Sequence, residues 1–553
     1  MPPATLPDTP HDTPHDEAQA SWVPMVTIAL AQMLMSFNAA SLPVAMSGMM
    51  KSFGVPPTAV STAIVVYSMS VASLVMLGAK LNQRHGALVV FRIGILIFCT
   101  AMILMTISWS ARVMIGVQAL AGVASAALIP SLVALIANNY AGQQQATAIG
   151  ALGAARAAAG VAAFLIGGIL GTVIGWRPAF ALVAIVAAVV LMLSLKLKPV
   201  PTNPAIKVDR IGVLLIGGSV LLISIGFNNI NDWGLVLASK QAPFTLVGLS
   251  PAPLMIVIGL FLGQAFFAWT RRRAMAAKTP LLALQVIASP GERSAVYALF
   301  AIVALEAALN FTVPLYIQIV QGRSPFDTAI AMMPFNLTVF FAALLVVRAY
   351  GRWPLRIIAQ IAFGLSAAAL LWLALVVHND WSTVSVILGL VVFGIGQGSL
   401  VTLLFNVLVT GSPRELAGDV GALRGTTNNL AGAVGTATIG ALVVGLLSAM
   451  VIRDVAAHPQ LPPALVAQVD LDQVTFVSND QLDALLARTD ATPEQVEAAV
   501  AINVEARLAA LRIGLAIMAG LALLALIPAG KLPDYRAAAL PARQQPGAAV
   551  AGQ

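Results

Sequence analysis

The chain has 553 residues, 59% of them hydrophobic and only 9% charged, whereas soluble domains carry about 25% charged residues, so a water-soluble globular protein is excluded. A net charge of +8 invites a nucleic-acid partner, but the basic residues fall in alternate loops between apolar runs, the pattern of a membrane protein, and no nucleic acid is expected. The one cysteine, Cys99, lies inside an apolar run, which excludes an intrachain disulfide.

Residues 1–23 are polar, acidic and proline-rich and read as a disordered cytoplasmic tail, without the basic start and short apolar stretch of a cleaved signal peptide. His11 and His15 have the spacing of helical ligands, but Pro10 and Pro14 oppose a helix there. No metal and no cofactor is expected.

Apolar runs then follow at 24–46, 59–79, 88–109, 113–137, 146–172, 178–196, 211–232, 253–270, 294–320, 326–347, 355–377, 383–408, 419–451 and 510–530. Each meets or approaches the roughly 20 residues a helix needs to cross about 30 Å of hydrocarbon. Asn38 to Pro43, then Pro56-Pro57-Thr58-Ala59, parallels Asn310 to Pro314, then Pro325-Phe326-Asp327-Thr328-Ala329. Gly150-Ala151-Leu152 likewise parallels Gly421-Ala422-Leu423. Such repeats characterise secondary transporters and divide the spans six, two and six.

The expectation is an all-α membrane protein with fourteen transmembrane helices. A six-helix bundle takes 24–200, a linker with an inserted helix pair 201–280, and a second six-helix bundle 281–530, before a tail at 531–553. Lys196, Lys198, Arg271, Arg272, Arg273, Arg348, Arg352 and Arg356 share one side, which the positive-inside rule makes cytoplasmic, together with both termini. Segment 452–509 is then an acidic exterior stretch, and it leaves open a periplasmic adaptor as a partner. Within it, Thr492-Pro493-Glu494-Gln495 carries a capping residue, a proline at the first helical position and Gln three residues on, so a helix starts there.

Three ionisable residues lie deep in spans: Arg156, Glu306 and Arg424. A carboxyl at the centre of a spanning helix costs about 2.5–3.5 kcal/mol on insertion scales, so it usually faces a partner or a water-filled pathway. Glu306 is either fixed in a pair with Arg156 or Arg424 or takes and releases a proton as the balance between burial and a nearby guanidinium changes. It could also attract a lipophilic cation. Asn310 shares its helix face and Pro314 lies a turn further on, able to loosen the helix.

The thirteenth span is unusually polar, with Arg424, Asn428 and Asn429, and its Gly432, Thr436 and Gly440 form a small-residue stripe suited to close helix contact. Gln32 and Ser36, Gln118 and Gln397 could line the same cavity, although buried amides often only bridge helices. Motifs for acyl transfer, zinc hydrolysis and ATP binding are missing, so no enzyme is expected.

Leu315-Tyr316-Ile317-Gln318, Gly322-Arg323-Ser324-Pro325, Met333-Pro334 and Gly175-Trp176-Arg177 resemble the major facilitator superfamily, and within it the fourteen-span drug/proton antiporter branch. The resemblance covers about 24–530. It implies proton-coupled efflux of amphipathic or cationic toxic compounds by alternating access, in a bacterial-type inner membrane.

It also implies a gating loop at Ala79-Lys80-Leu81-Asn82-Gln83-Arg84-His85-Gly86, with Gln83, Arg84, Gly86 and, further on, Pro314 as gate residues. Gln83 stands where the family has Asp, Gln118 where it has Arg, and Ala163-Phe164 where the antiporter motif has Gly-Pro. With two buried arginines against one glutamate, an uncoupled or differently coupled carrier of organic anions or zwitterions stays open. So does a non-transporting sensor.

Overall fold

The computed structural model describes residues 21–534, apart from 56, 200–201, 318–324, 351, 379–382 and 458–491. Its long helices are α1 (Val23–Val44), α2 (Pro57–His85), α3 (Ala87–Thr106), α4 (Ala111–Asn139), α5 (Gly142–Val173), α6 (Arg177–Ser194) and α7 (Arg210–Asn228). The remainder are α8 (Pro251–Met275), α9 (Pro290–Leu315), α10 (Pro325–Ala349), α11 (Leu355–Val376), α12 (Thr383–Gly411), α13 (Ala417–Ala457) and α14 (Pro493–Leu524). All fourteen contain a stretch long and apolar enough to cross a membrane.

Local chemistry sets where these helices begin. Ser110 accepts from the Val113 N–H and Asp209 from the Gly212 N–H. Ser289 with Glu292 and Thr492 with Gln495 each close a reciprocal capping box, both followed by a proline that has no N–H to lose. Between α2 and α3 the chain turns on Gly86 alone, at φ 89°, a conformation side chains disfavour. The helix expected from Thr492 is there, continuous with the last span. Within 452–509 the described residues only extend α13 and open α14, and 458–491 fall outside the description, as do 1–20 and 535–553. The family-like stretch 318–324 is outside it too.

Packing repeats between the halves. In the first six helices α2 packs on α4, α1 on α5 and α6, and α3 on α4 and α6; in the last six α10 packs on α12, α9 on α13 and α14, and α11 on α12 and α14. The halves meet where α5 crosses α10 and where α13 crosses α2 and α4. Gly150 makes the first crossing possible, since a Cβ there would sit 2.6 Å from the Ala343 carbonyl oxygen; at the second, a Cβ on Gly421 would sit 2.9 Å from Pro130 Cα. The inserted pair is peripheral. Only 17% of the most apolar window of α8 is buried, against 67% for α4, and it is mainly α7 that carries the pair onto α2 and α13.

Large apolar side chains such as Leu214, Leu375 and Met192 point outward, a surface that suits hydrocarbon. The protein is a multi-pass, all-α membrane protein of two six-helix bundles plus an inserted pair.

Candidate functional site

Between the bundles lies a cavity of about 440 Å³, lined from α1, α2, α4 and α5 on one side and from α9, α10, α12 and α13 on the other. At 1.5 Å per residue, Arg156 sits roughly 21 Å from the start of α5, Glu306 roughly 24 Å into α9 and Gln397 roughly 21 Å into α12, so all three share mid-depth.

There Arg156 Nη2 donates to both carboxylate oxygens of Glu306, at 3.2 and 3.3 Å, and Gln397 Nε2 donates to Oε2 at 2.5 Å. The ion pair joins one bundle to the other. Its two side chains are 37% and 14% exposed, open enough for a passenger or a proton to reach. Gln32 and Ser36 line the same space and bond each other across one turn of α1 at 3.0 Å, while Arg424, Asn428 and Asn429 line it from α13.

Arg424 differs from Arg156. It is 6% exposed, its guanidinium carbon lies 4.1 Å from the Phe405 ring centroid, and its Nε is buried without a protein partner. Gln397 Oε1, Thr402 Oγ1 and Asn428 Oδ1 are likewise buried at the cavity wall without a partner. Apolar surface from Met35, Val71, Ile129, Phe335, Val339 and Val401 completes the lining.

Two expected cavity residues lie elsewhere. Gln118 is fully buried and forms a reciprocal amide pair with Asn38, at 3.0 and 3.2 Å, which ties α4 to α1 away from the cavity. Asn310 is exposed and does not line the cavity, because the wall belongs to the flank of α9 that carries Glu306 and the helix turns Asn310 out. The α13 stripe is also corrected: a Cβ on Gly432 would meet nothing within 4 Å, whereas one on Gly435 would lie 2.2 Å from the Ala304 carbonyl oxygen of α9. Gly153 and Gly160 of α5 form cavity wall opposite Thr402 and Asn336. Tyr67, Asn336 and Thr402 also line the cavity and were missed in the sequence.

The expected gating loop meets the opposite bundle at the end where α2 closes and α13 opens. Lys80 Nζ donates to both oxygens of Asp419, at 3.1 and 2.9 Å, with the two side chains 3% and 0% exposed. Gln83 accepts from Lys80 at 2.9 Å and donates to Asp419 Oδ1 at 3.1 Å, and the Ala283 N–H donates to Oδ2 at 3.1 Å. Gln83 therefore helps hold a charge pair whose cation sits on the first bundle and whose carboxylate sits on the second. Arg84 is exposed, and Pro314 lies in the last turn of α9. Asp419, which sequence reasoning missed, sits at the end of a span, where a carboxyl is inexpensive and draws no notice.

Two helical bundles joined across a mid-depth cavity, with a further buried charge pair between them at one end, have the architecture of a secondary transporter. The chain belongs to the Major Facilitator Superfamily, whose family model matches residues 28–436. It is 25% identical over 425 residues to the multidrug efflux pump LfrA of Mycolicibacterium smegmatis, covering 76% of this chain and 81% of that one. It is 23% identical over 472 residues to the tetracenomycin C resistance and export protein of Streptomyces glaucescens, covering 80% and 83%.

Among solved structures, the human organic anion transporter MFSD10 aligns with a TM-score of 0.58 at 12% identity, covering 92% of this chain and 100% of that one. The proton:xylose symporter XylE aligns with a TM-score of 0.52 at 12% identity, covering 92% and 94%. These two likenesses speak for the fold alone.

Proposed function

We propose that this protein exports amphipathic toxic compounds across a bacterial-type inner membrane in exchange for protons, with Glu306 as the proton-binding group. The observation that carries the reading is the bond between Arg156 and Glu306, which spans the bundles inside the cavity. Protonating Glu306 cancels its charge and weakens the one mid-depth ion pair that holds the halves together among the described residues. Loss of the proton restores it. Proton transfer is thereby tied to rocking of the bundles at 24–200 and 281–530, the two bodies of the alternating-access cycle.

The positive-inside rule assigns the Lys80–Asp419 end, and both termini, to the cytoplasm. In that orientation the buried Lys80–Asp419 pair supports reading this state as closed toward the cytoplasm. Export as the direction follows the efflux and resistance roles named for the relatives.

The test is pH-jump flux in everted vesicles. Glu306→Gln should abolish flux driven by a pH gradient while gradient-free exchange of the same dye persists. Gradient-driven flux that survives in Glu306→Gln defeats the mechanism.

A further inference from the structure

We infer that Arg424 is the docking point for an anionic oxygen, so that the passenger accepted by the central cavity is an amphipathic monocarboxylate. The inference rests on reading the cavity as the transport site and adds to it the charge of the substrate.

The protein shows elsewhere how it satisfies a buried cation. Lys80 has both oxygens of Asp419 and the Gln83 carbonyl, and even the partly exposed Arg273 reaches Asp209 at 3.3 Å. Arg424, more than nine-tenths buried and on the cavity wall, has no hydrogen bond or ion pair among the described residues. Arg156 and Glu306 are near enough to act on it through space, but they are already paired with each other, and Gln397 occupies a second position on the carboxylate.

The cavity therefore holds two guanidinium groups and one carboxylate, a formal surplus of one positive charge. Phe405 covers one face of Arg424. A cation–π contact offsets only part of what removing an ion from water costs. A guanidinium presents a planar fork of N–H donors that matches a carboxylate, and its charge is not relieved by losing a proton.

The surroundings fit the rest of such a molecule. Asn428, one helical turn along α13, offers an unpartnered acceptor to a hydroxyl or amide N–H next to the carboxylate. Phe335, Val339 and Val401 offer apolar wall to its body. A cavity of about 440 Å³ lies within the roughly 300–1,000 Å³ typical of sites for drug-sized ligands. The surplus of one charge selects a monoanion over a dianion.

The experiment compares three forms of one fluorophore: a monocarboxylate, its methyl ester and a quaternary-ammonium analogue. Equilibrium binding to the purified full-length protein is read by fluorescence anisotropy, and flux in proteoliposomes with and without a pH gradient. On the unsubstituted protein the acid should bind at least about tenfold more tightly than the ester, the worth of a charged hydrogen-bonded contact. Arg424→Gln should bring acid and ester within about twofold, and Arg424→Lys should keep part of the gap, because the charge stays but the fork is lost.

Acid and ester binding alike on the unsubstituted protein overturns the inference, whether or not any variant folds. An unchanged gap in Arg424→Gln overturns it too. Gradient-driven flux of ester and ammonium dye without acid preference sinks this inference and leaves proton-coupled export standing. Acid preference in binding, with no dye moving in response to a gradient, does the reverse.

Discussion

Gln118 and Gln397 are both amides in the middle of apolar runs, and only their neighbours tell them apart. Gln397 leans over Glu306 at the cavity, whereas Gln118 is closed in a reciprocal pair with Asn38. Substituting Asn38 by Leu leaves the wholly buried Gln118 carbonyl without its donor and its amide nitrogen with only the Met105 sulfur at 3.7 Å, which costs about 1–3 kcal/mol. The melting temperature of the detergent-solubilised protein should fall, and Asn38→Leu with Gln118→Leu together should recover much of the loss. A double variant no more stable than the single one would show that the pair contributes little. Glu306, Arg156 and Arg424 were legible in the sequence because each breaks an apolar run at a cost that demands a reason. Which arginine held the glutamate was not, since all three lie on different helices and their order in space is a property of packing.

At the scale of the helix, the Thr492 cap could be read in advance because everything it needs lies within four residues. The lock at the α2–α13 crossing could not, because Lys80 and Asp419 are far apart in sequence and each sits where charge is ordinary. Removing one member of a buried pair leaves an uncompensated charge, typically worth about 3–5 kcal/mol, and here that charge sits on the seam between the two bundles. Asp419→Asn should therefore shift the population toward opening at that end. With Cys99 replaced by Ser, a cysteine at Thr402 should react at least about tenfold faster with an impermeant thiol reagent applied from the α2–α13 side, a shift of about 1.4 kcal/mol or more. An unchanged rate would mean the pair is structural only. Gly150→Leu acts in the opposite sense, since its side chain must displace Ala343 and Val347 to close the α5–α10 crossing, and transport should drop with expression preserved. The small-residue stripe on α13 shows the limit of helical spacing alone: Gly432 and Gly435 are equally plausible in sequence, but only the neighbouring backbone of α9 decides which is needed.

Over the whole molecule, the six-two-six division was legible in the parallel motifs around Asn38 and Asn310, and the two sets of six helices pack in matching order. The placement of the added pair was not legible, because nothing in an apolar run says which neighbour it lies against. Of the two seams related by the repeat, α7 lies against the one between α2 and α13, and among the described residues neither helix of the pair packs substantially on the one between α5 and α10. A passenger dissolved in the surrounding lipid consequently meets a shuttered flank on one side and an unshuttered one on the other, so lateral traffic should be one-sided. A lipophilic photoreactive probe should mark residues along α5 and α10 far more heavily than those along α2 and α13, and even marking of the two flanks would remove that asymmetry.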